Sequence, residues 1–187
     1  MFRTLFVLSP LTLACVVVVA ATSDHAHEGG APPTNRRNTT KPLNCGDAAK
    51  GSPALDYNGH CYVLVDLHWG GQYRDWDGSR ANCVLHYNGR LAWIENSQTM
   101  LAILDWLNGA YRPLGEGSWF YVGLKKYSGS WAWFRGDGSL DHIATYLPWH
   151  AGKPDGGDCG GVFYASGAIG LDDWSCDKPH ASICQIY

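Results

Sequence analysis

The amino-acid sequence predicts an α+β fold in which two helices precede a set of short antiparallel strands, the whole stapled by disulfides. Three observations carry this expectation. Apolar side chains recur at helical spacing between residues 97 and 107, aromatic-rich runs broken by glycine fill the chain after Pro113, and the cysteines left after an export signal form an even set. The chain has 187 residues, enough for one domain with appendages and a proper buried core.

Residues 1–22 read as a signal peptide. Arg3 gives a positive start, and an apolar run from Leu5 to Ala21 follows, lightly broken by Ser9, Pro10 and Thr12. Small residues at Val18 and Ala20, or at Ala20 and Thr22, place the mature terminus near Ala21 to Ser23. A membrane anchor is the weaker reading, because the run falls short of the ~20 apolar residues a span needs and no basic stop-transfer cluster follows. The expectation is a secreted, extracellular protein with no membrane span in the mature chain. Cys15 leaves with the signal, so Cys45, Cys61, Cys83, Cys159, Cys176 and Cys184 remain, enough for three disulfides with no thiol left to link two chains.

Residues 23–44 are polar, rich in Pro, Thr and Asn and without apolar periodicity, and read as a disordered stalk. The sequon Asn38-Thr39-Thr40 makes Asn38 a glycosylation acceptor in an exported chain. Ser23-Asp24-His25, if exposed at a new terminus, has the nitrogen donors of a planar copper site, but a solvated tail is the ordinary reading.

The folded domain is expected over 45–187. Gly46, Gly51, Pro53 and Gly59 lead into the strand-like Cys61-Tyr62-Val63-Leu64-Val65, an opening hairpin closed by one disulfide. A first helix is expected from about Asp75 to His86, with Trp76, Ala81, Val84 and Leu85 near helical spacing; Gly78 argues against it, and Asn88-Gly89 follows it. A second begins at a cap on Asn96 or Ser97, carries Met100, Leu101, Ile103, Leu104 and Leu107 on one side, and ends at Asn108-Gly109. Beyond Arg112-Pro113, short runs of Trp, Tyr and Phe separated by Gly suit strands and loops.

The formal charge of −3 argues against nucleic acid as a partner, since phosphate binding needs a concentrated basic surface. Locally the pattern is sharper: Asp137, Asp141, Asp155, Asp158, Asp172, Asp173 and Asp177 follow one another with only Lys153 as a cation in between. Aspartates in loops mostly initiate turns, so acidity alone makes no site. His142, His150 and His180 sit near aspartates, yet there is no Gly-x-Ser-x-Gly elbow, no zinc-ligand spacing and no phosphate loop, so no enzyme is expected.

Several features fall in one order. Cys61-Tyr62 and Cys83 are followed by Gly89-Arg90-Leu91-Ala92-Trp93-Ile94, the second helix, Trp119-Phe120-Tyr121-Val122-Gly123-Leu124 and Trp131-Ala132-Trp133. Then come Trp149, Lys153-Pro154-Asp155, Asp158-Cys159, Leu171-Asp172-Asp173-Trp174-Ser175-Cys176 and Cys184. This order resembles the C-type lectin-like domain over about residues 45–187, and its pieces are specific only together.

The resemblance implies a long irregular loop among the late strands and the pairings Cys45–Cys61, Cys83–Cys184 and Cys159–Cys176, out of the fifteen that six cysteines allow. Trp119, Trp131 and Trp133 are read as core packing. It further implies a calcium ion in the long loop, held by carboxylate and amide oxygens and completed by sugar hydroxyls. The loop motif Glu-Pro-Asn or Gln-Pro-Asp is here Lys153-Pro154-Asp155, and Trp-Asn-Asp is Leu171-Asp172-Asp173. The resemblance therefore makes Asp155, Asp172 and Asp173 the expected calcium ligands, with Asp158 nearby. Lys153 offers no acceptor, and Gly157 replaces the expected glutamate. Pro154 matches the family's cis proline.

The expectation is that the Lys153 ammonium replaces the ion, bridging Asp172 and Asp173, and that Lys153→Glu with Gly157→Glu would create calcium affinity. Trp174 is either exposed, where its ring stacks on a sugar, or tucked under the loop. The leading function is recognition of glycans or glycoproteins by the face bearing Lys153, Asp155, Asp172, Asp173 and Trp174. The alternative is calcium-independent binding of a protein or other non-sugar surface on the same fold.

Overall fold

The computed structural model describes residues 44–67, 70–110, 118–165 and 168–187. The expected signal peptide, the stalk up to residue 43 with Asn38, and the Arg112-Pro113 boundary lie outside them.

A four-residue helix α1 (Cys45–Ala48) opens the fold, followed by the hairpin of β1 (Ala54–Tyr57) and β2 (His60–Val65). Asn58 and Gly59 at its turn both have positive φ, the conformation a tight two-residue hairpin turn requires. The predicted opening hairpin is thus present, and the Cys45–Cys61 disulfide closes it.

Helix α2 (Trp76–Tyr87) starts where the Asp75 carboxylate accepts the Gly78 N–H at 2.7 Å. It ends at left-handed Asn88, with the Gly89 N–H returning to the Cys83 carbonyl at 3.1 Å. Its inward face is not the one expected. Trp76, Ser79 and Cys83 are buried, while Val84 is exposed and Leu85 is 77% exposed. Two anchors set that rotation: the Trp76 indole N–H donates to the Val122 carbonyl at 2.9 Å, and Cys83 is tied to Cys184.

Helix α3 (Ser97–Ala110) is capped by Asn96, whose side-chain oxygen accepts the Thr99 N–H at 2.9 Å. Met100, Ile103, Leu104 and Leu107 are buried, the i, i+3, i+4, i+7 stripe. Leu101, expected with them, is one step round the helix and 65% exposed.

The remaining strands are β3 (Arg90–Leu91), β4 (Ser118–Tyr127), β5 (Ser130–Phe134), β6 (Leu140–Ile143), β7 (Cys159–Ala165), β8 (Ala168–Trp174) and β9 (Ala181–Ile186). They share one sheet whose main path runs β1-β2-β9-β4-β5-β6, with β7 joined to β4 and β8 to β7. All these pairs are antiparallel except β4 with β9, which is parallel. Early helices and late strands match the predicted α+β class, and the three disulfides pair as the resemblance implied.

Two buried clusters meet at this sheet, one around Leu64, Ile103, Phe120 and Trp133, the other around Trp76, Tyr121 and the Cys83–Cys184 bridge. Trp119, Trp131 and Trp133 are all buried, as expected. The Tyr121 hydroxyl lies 2.8 Å from the Ser175 carbonyl and 2.9 Å from that of Lys178, which pins the turn after β8 to the core strand.

Candidate functional site

Strand β8 and the long loop before β7 build the site together. The loop is stitched to β8 through one residue: the Leu171 N–H donates to Pro148 O at 2.8 Å, and its carbonyl accepts the His150 N–H at 2.8 Å. Gly170 permits this approach, since a Cβ there would stand 2.7 Å from the His150 nitrogen. Asp172 and Asp173 are consecutive on β8 and take different partners.

Asp173 turns toward the loop. Its two carboxylate oxygens accept the N–H groups of Asp155 and Gly156 at 2.8 Å each, and that of Gly157 as well. Burial alone would raise its pKa, but these three main-chain donors win and hold the carboxyl below its ordinary range. Asp173 therefore serves as the internal cap of the loop.

Asp172 is buried and accepts the Lys153 ammonium at 2.9 Å. The same ammonium reaches Asp155 at 3.0 Å, and the hydrogen bonds to Asp172 and then Asp155 raise its pKa. Lys153 does bridge two carboxylates, but the second is Asp155, not Asp173 as expected. The reason is local: the Asp173 carboxylate is already taken by the backbone N–H groups of residues 155–157. The Lys153-Pro154 bond is cis, as the resemblance implied.

Oxygen atoms of Asp155, Asp172 and Asp173 lie within 4.8 Å of one another, a spacing that three metal ligands can adopt. Asp158 does not join them; its carboxylate pairs with Lys126 at 3.3 Å. Calcium takes six to eight oxygens. Here an ammonium stands between two of the three carboxylates and main-chain donors occupy the third, so the residues as arranged do not fit the ion. Gly157 cannot supply the missing carboxylate, because a Cβ on it would meet the Trp174 nitrogen at 2.4 Å. The expected double substitution of Lys153→Glu with Gly157→Glu would thus have to displace the backbone of Trp174.

The Trp174 ring is 42% exposed, and the Lys153 ammonium sits 5.9 Å from its centre. It forms the wall between two hollows. One, of about 520 Å³, is lined by Asp155, Asp158, Asp173, Trp174 and Asp177 among others. The other, of about 380 Å³, holds Asp66, Tyr73, Trp119, Phe163, Asp172, Trp174 and His180. Sequence reasoning missed the second hollow; its one signal was Asp66, a carboxylate directly after the wholly apolar Cys61–Val65 run.

The three histidines separate. His142 lies between Asp141 at 2.6 Å and Glu95 at 3.0 Å; His150 packs edge-on to Phe163; His180 packs against Trp119, Tyr121 and Trp174.

A profile of the Lectin C-type domain matches residues 72–186, spanning both longer helices, the long loop and β8. The chain belongs to the C-type lectin domain family. C-type lectin lectoxin-Lio3 of Erythrolamprus poecilogyrus is 30% identical over 134 residues, covering 69% of this chain and 76% of that protein. Among solved structures, human lithostathine superimposes with a TM-score of 0.57 at 17% identity, covering 72% of this chain and 88% of its own. The Ca2+-independent C-type lectin SPL-2 from Saxidomus purpuratus gives 0.55 at 24%, covering 72% and 91%. At those identities the two structures speak for the fold. Among the described residues, no helix of this C-type lectin domain is long and apolar enough to cross a membrane.

Proposed function

We propose that this protein is a secreted, calcium-independent lectin that binds glycans on the long-loop face formed by Lys153, Asp155, Asp172, Asp173 and Trp174. The observation that carries this reading is the open hollow in which the exposed Trp174 ring meets the Asp155 carboxylate, whose side chain is 60% exposed. A pyranose presents an apolar face that stacks on indole and hydroxyls that donate to carboxylates, so these two groups at one rim match its two chemistries. Lys153 takes over the structural part an ion would play, joining the loop at Asp155 to β8 at Asp172. The relative SPL-2, a Ca2+-independent C-type lectin, supports the view that this fold does not require the ion. Secretion is supported by the N-terminal export pattern and by three disulfides, which persist in oxidising compartments.

A glycan array run with calcium and again with chelator tests the reading. Hits that survive chelation are expected. Hits lost on chelation would overturn calcium independence, and silence in both would favour a protein or other non-sugar ligand.

A further inference from the structure

A separate pocket, of about 260 Å³, opens between the segment after α1, the segment before α2 and the last turns of α2. Its described lining carries Lys50, Arg74 and His86 with the side-chain amides of Gln72 and Asn82, and no carboxylate. It shares no residue with the glycan face. On a chain of formal charge −3 such a cluster is a local exception.

Ion pairing elsewhere sharpens it. Among the described residues, Arg80 and Lys125 face Asp77, Lys126 faces Asp158, Arg135 faces Asp141, Lys153 faces Asp155 and Asp172, and Lys178 faces Asp177. Arg90 is stacked on the Trp93 and Tyr187 rings. The two cations that remain, Lys50 and Arg74, both line this pocket. Acidic neighbours are engaged elsewhere: Asp47 accepts from the Asn44 amide, and Asp75 caps α2 at Gly78.

The cationic groups are held in place. The Lys50 ammonium sits 6.0 Å from the centre of the Tyr87 ring. The Arg74 backbone pairs with His180 in both directions, at 3.3 and 3.0 Å, and its Nη2 donates to the Gln72 side-chain oxygen at 2.8 Å. Its Nε is buried and has no hydrogen-bond partner among the described residues. A buried donor without an acceptor is unfavourable, and the oxygen of a bound anion would satisfy it. Asn82 and His86 stand one turn apart on α2 and so share a face. Lys50 itself has a φ of 52°, in the left-handed region that glycine takes freely and lysine does not. A charge is thus kept where the backbone alone would favour glycine.

We propose that this pocket binds a sulfate or phosphate monoester group. A guanidinium and an ammonium give a tetrahedral oxyanion charge-assisted hydrogen bonds, and the amide and imidazole N–H groups add further donors. The site goes beyond the glycan reading and does not rest on it.

The test titrates the intact, disulfide-bonded, isotope-labelled protein at pH 7.5 and constant ionic strength with inorganic sulfate, inorganic phosphate, glucose 6-sulfate, glucose 6-phosphate and glucose. Saturable NMR shifts of the Arg74 Nε–H and the Asn82 side-chain amide are expected with at least one anion, at an affinity tenfold or more above that for glucose. Which anion binds tightest separates sulfate from phosphate and a free ion from an ester. Arg74→Gln and Lys50→Gly should each weaken that binding fivefold or more, and Lys178→Gln, outside the pocket, should not. Lys50→Gly is the sharper variant, because glycine suits the left-handed backbone and the protein should fold as well as wild type while losing the anion. Absence of saturable shifts, equal affinity for glucose, or full binding by Lys50→Gly overturns the proposal, and the wild-type titration decides it even if a variant fails to fold. Both variants should keep array glycans that lack sulfate and phosphate, so either conclusion can fail alone.

Discussion

A Cβ placed on Gly157 would stand 2.4 Å from the backbone nitrogen of Trp174 and 2.6 Å from its carbonyl carbon and oxygen. Neither neighbour is a flexible side chain, so the loop itself would have to move, and with it the three N–H groups that hold Asp173. Gly157→Ala should destabilise the domain by about 1–3 kcal/mol, as overpacking does. Gly157→Glu should cost at least as much and yield no calcium site. Thermal unfolding with and without calcium checks both; a stable Gly157→Glu protein that gains affinity would show that the loop can rearrange.

Lys153→Met removes an ammonium from two carboxylates, one of them buried. With side-chain exposures of 17% for Lys153 and 7% for Asp172, the pair is largely shielded from water. Stranding a buried charge in this way costs about 3 kcal/mol. Asp155 and Asp172, relieved of their shared cation, should then respond to calcium where the wild type does not. At ten times its dissociation constant, bound calcium would return about 1.4 kcal/mol, read as a rise in Tm. A wild-type Tm that rises as far as the variant's would refute the substitution of ammonium for ion.

The long bridge should matter more than the late one. Cys83–Cys184 closes 101 residues and Cys159–Cys176 closes 17. In the chain-entropy account these contribute about 4.7 and about 3 kcal/mol. Replacing Cys83 and Cys184 with alanine should therefore lower stability further than replacing Cys159 and Cys176. Denaturant melts of the two double variants decide the order.

Much of the fold was legible because local rules and burial agreed. The stripe on α3 and its Asn96 cap needed nothing beyond periodicity, and the aromatic run of β4 marked the core strand. Where a residue's place depends on a distant partner, the pattern misled. Val84 and Leu85 are apolar yet face water, because a disulfide and the Trp76 indole rotate α2. The acidic cluster was visible as composition, but the choice of Asp155 over Asp173 as the second partner of Lys153 depends on the loop N–H groups of residues 155–157 that already occupy Asp173. Those contacts come from how the loop folds back on β8, which no local pattern announces. The second hollow gathers residues from the segment between β2 and α2, from β4, β7 and β8, and from His180 and Ala181 at the start of β9, so no single stretch of sequence announces it.

Asp173 should give the domain an acid limit. Its folded pKa lies below the ordinary 3.8, whereas the unfolded chain titrates near that value. Above pH 3.8 the stabilisation is fully present. As pH falls through the lower folded value, the unfolded state takes up the proton first and the contribution is lost. Asp173→Asn should be less stable than wild type by about 1.5–3 kcal/mol at pH 7, the scale of hydrogen bonds to a charged group. The gap should close once both are measured in strong acid. A gap that persists unchanged to pH 2 would mean that the carboxylate charge is not what holds the loop.

Trp174 lines both hollows, and its fluorescence should report a bound glycan. Its ring is partly in water and is flanked by Trp119, His180 and the Lys153 ammonium. A glycan stacking on the outer face replaces water beside the indole, which should shift its emission, and Trp174→Ala should abolish that change. The loss of binding should be large, since sugar contacts on an aromatic platform rest mainly on the ring face. The fold should survive, because an indole that is 42% exposed carries less of the core than Trp119 or Trp133. If Trp174→Ala binds glycans found on the array as tightly as wild type does, the sugar surface lies elsewhere on the domain.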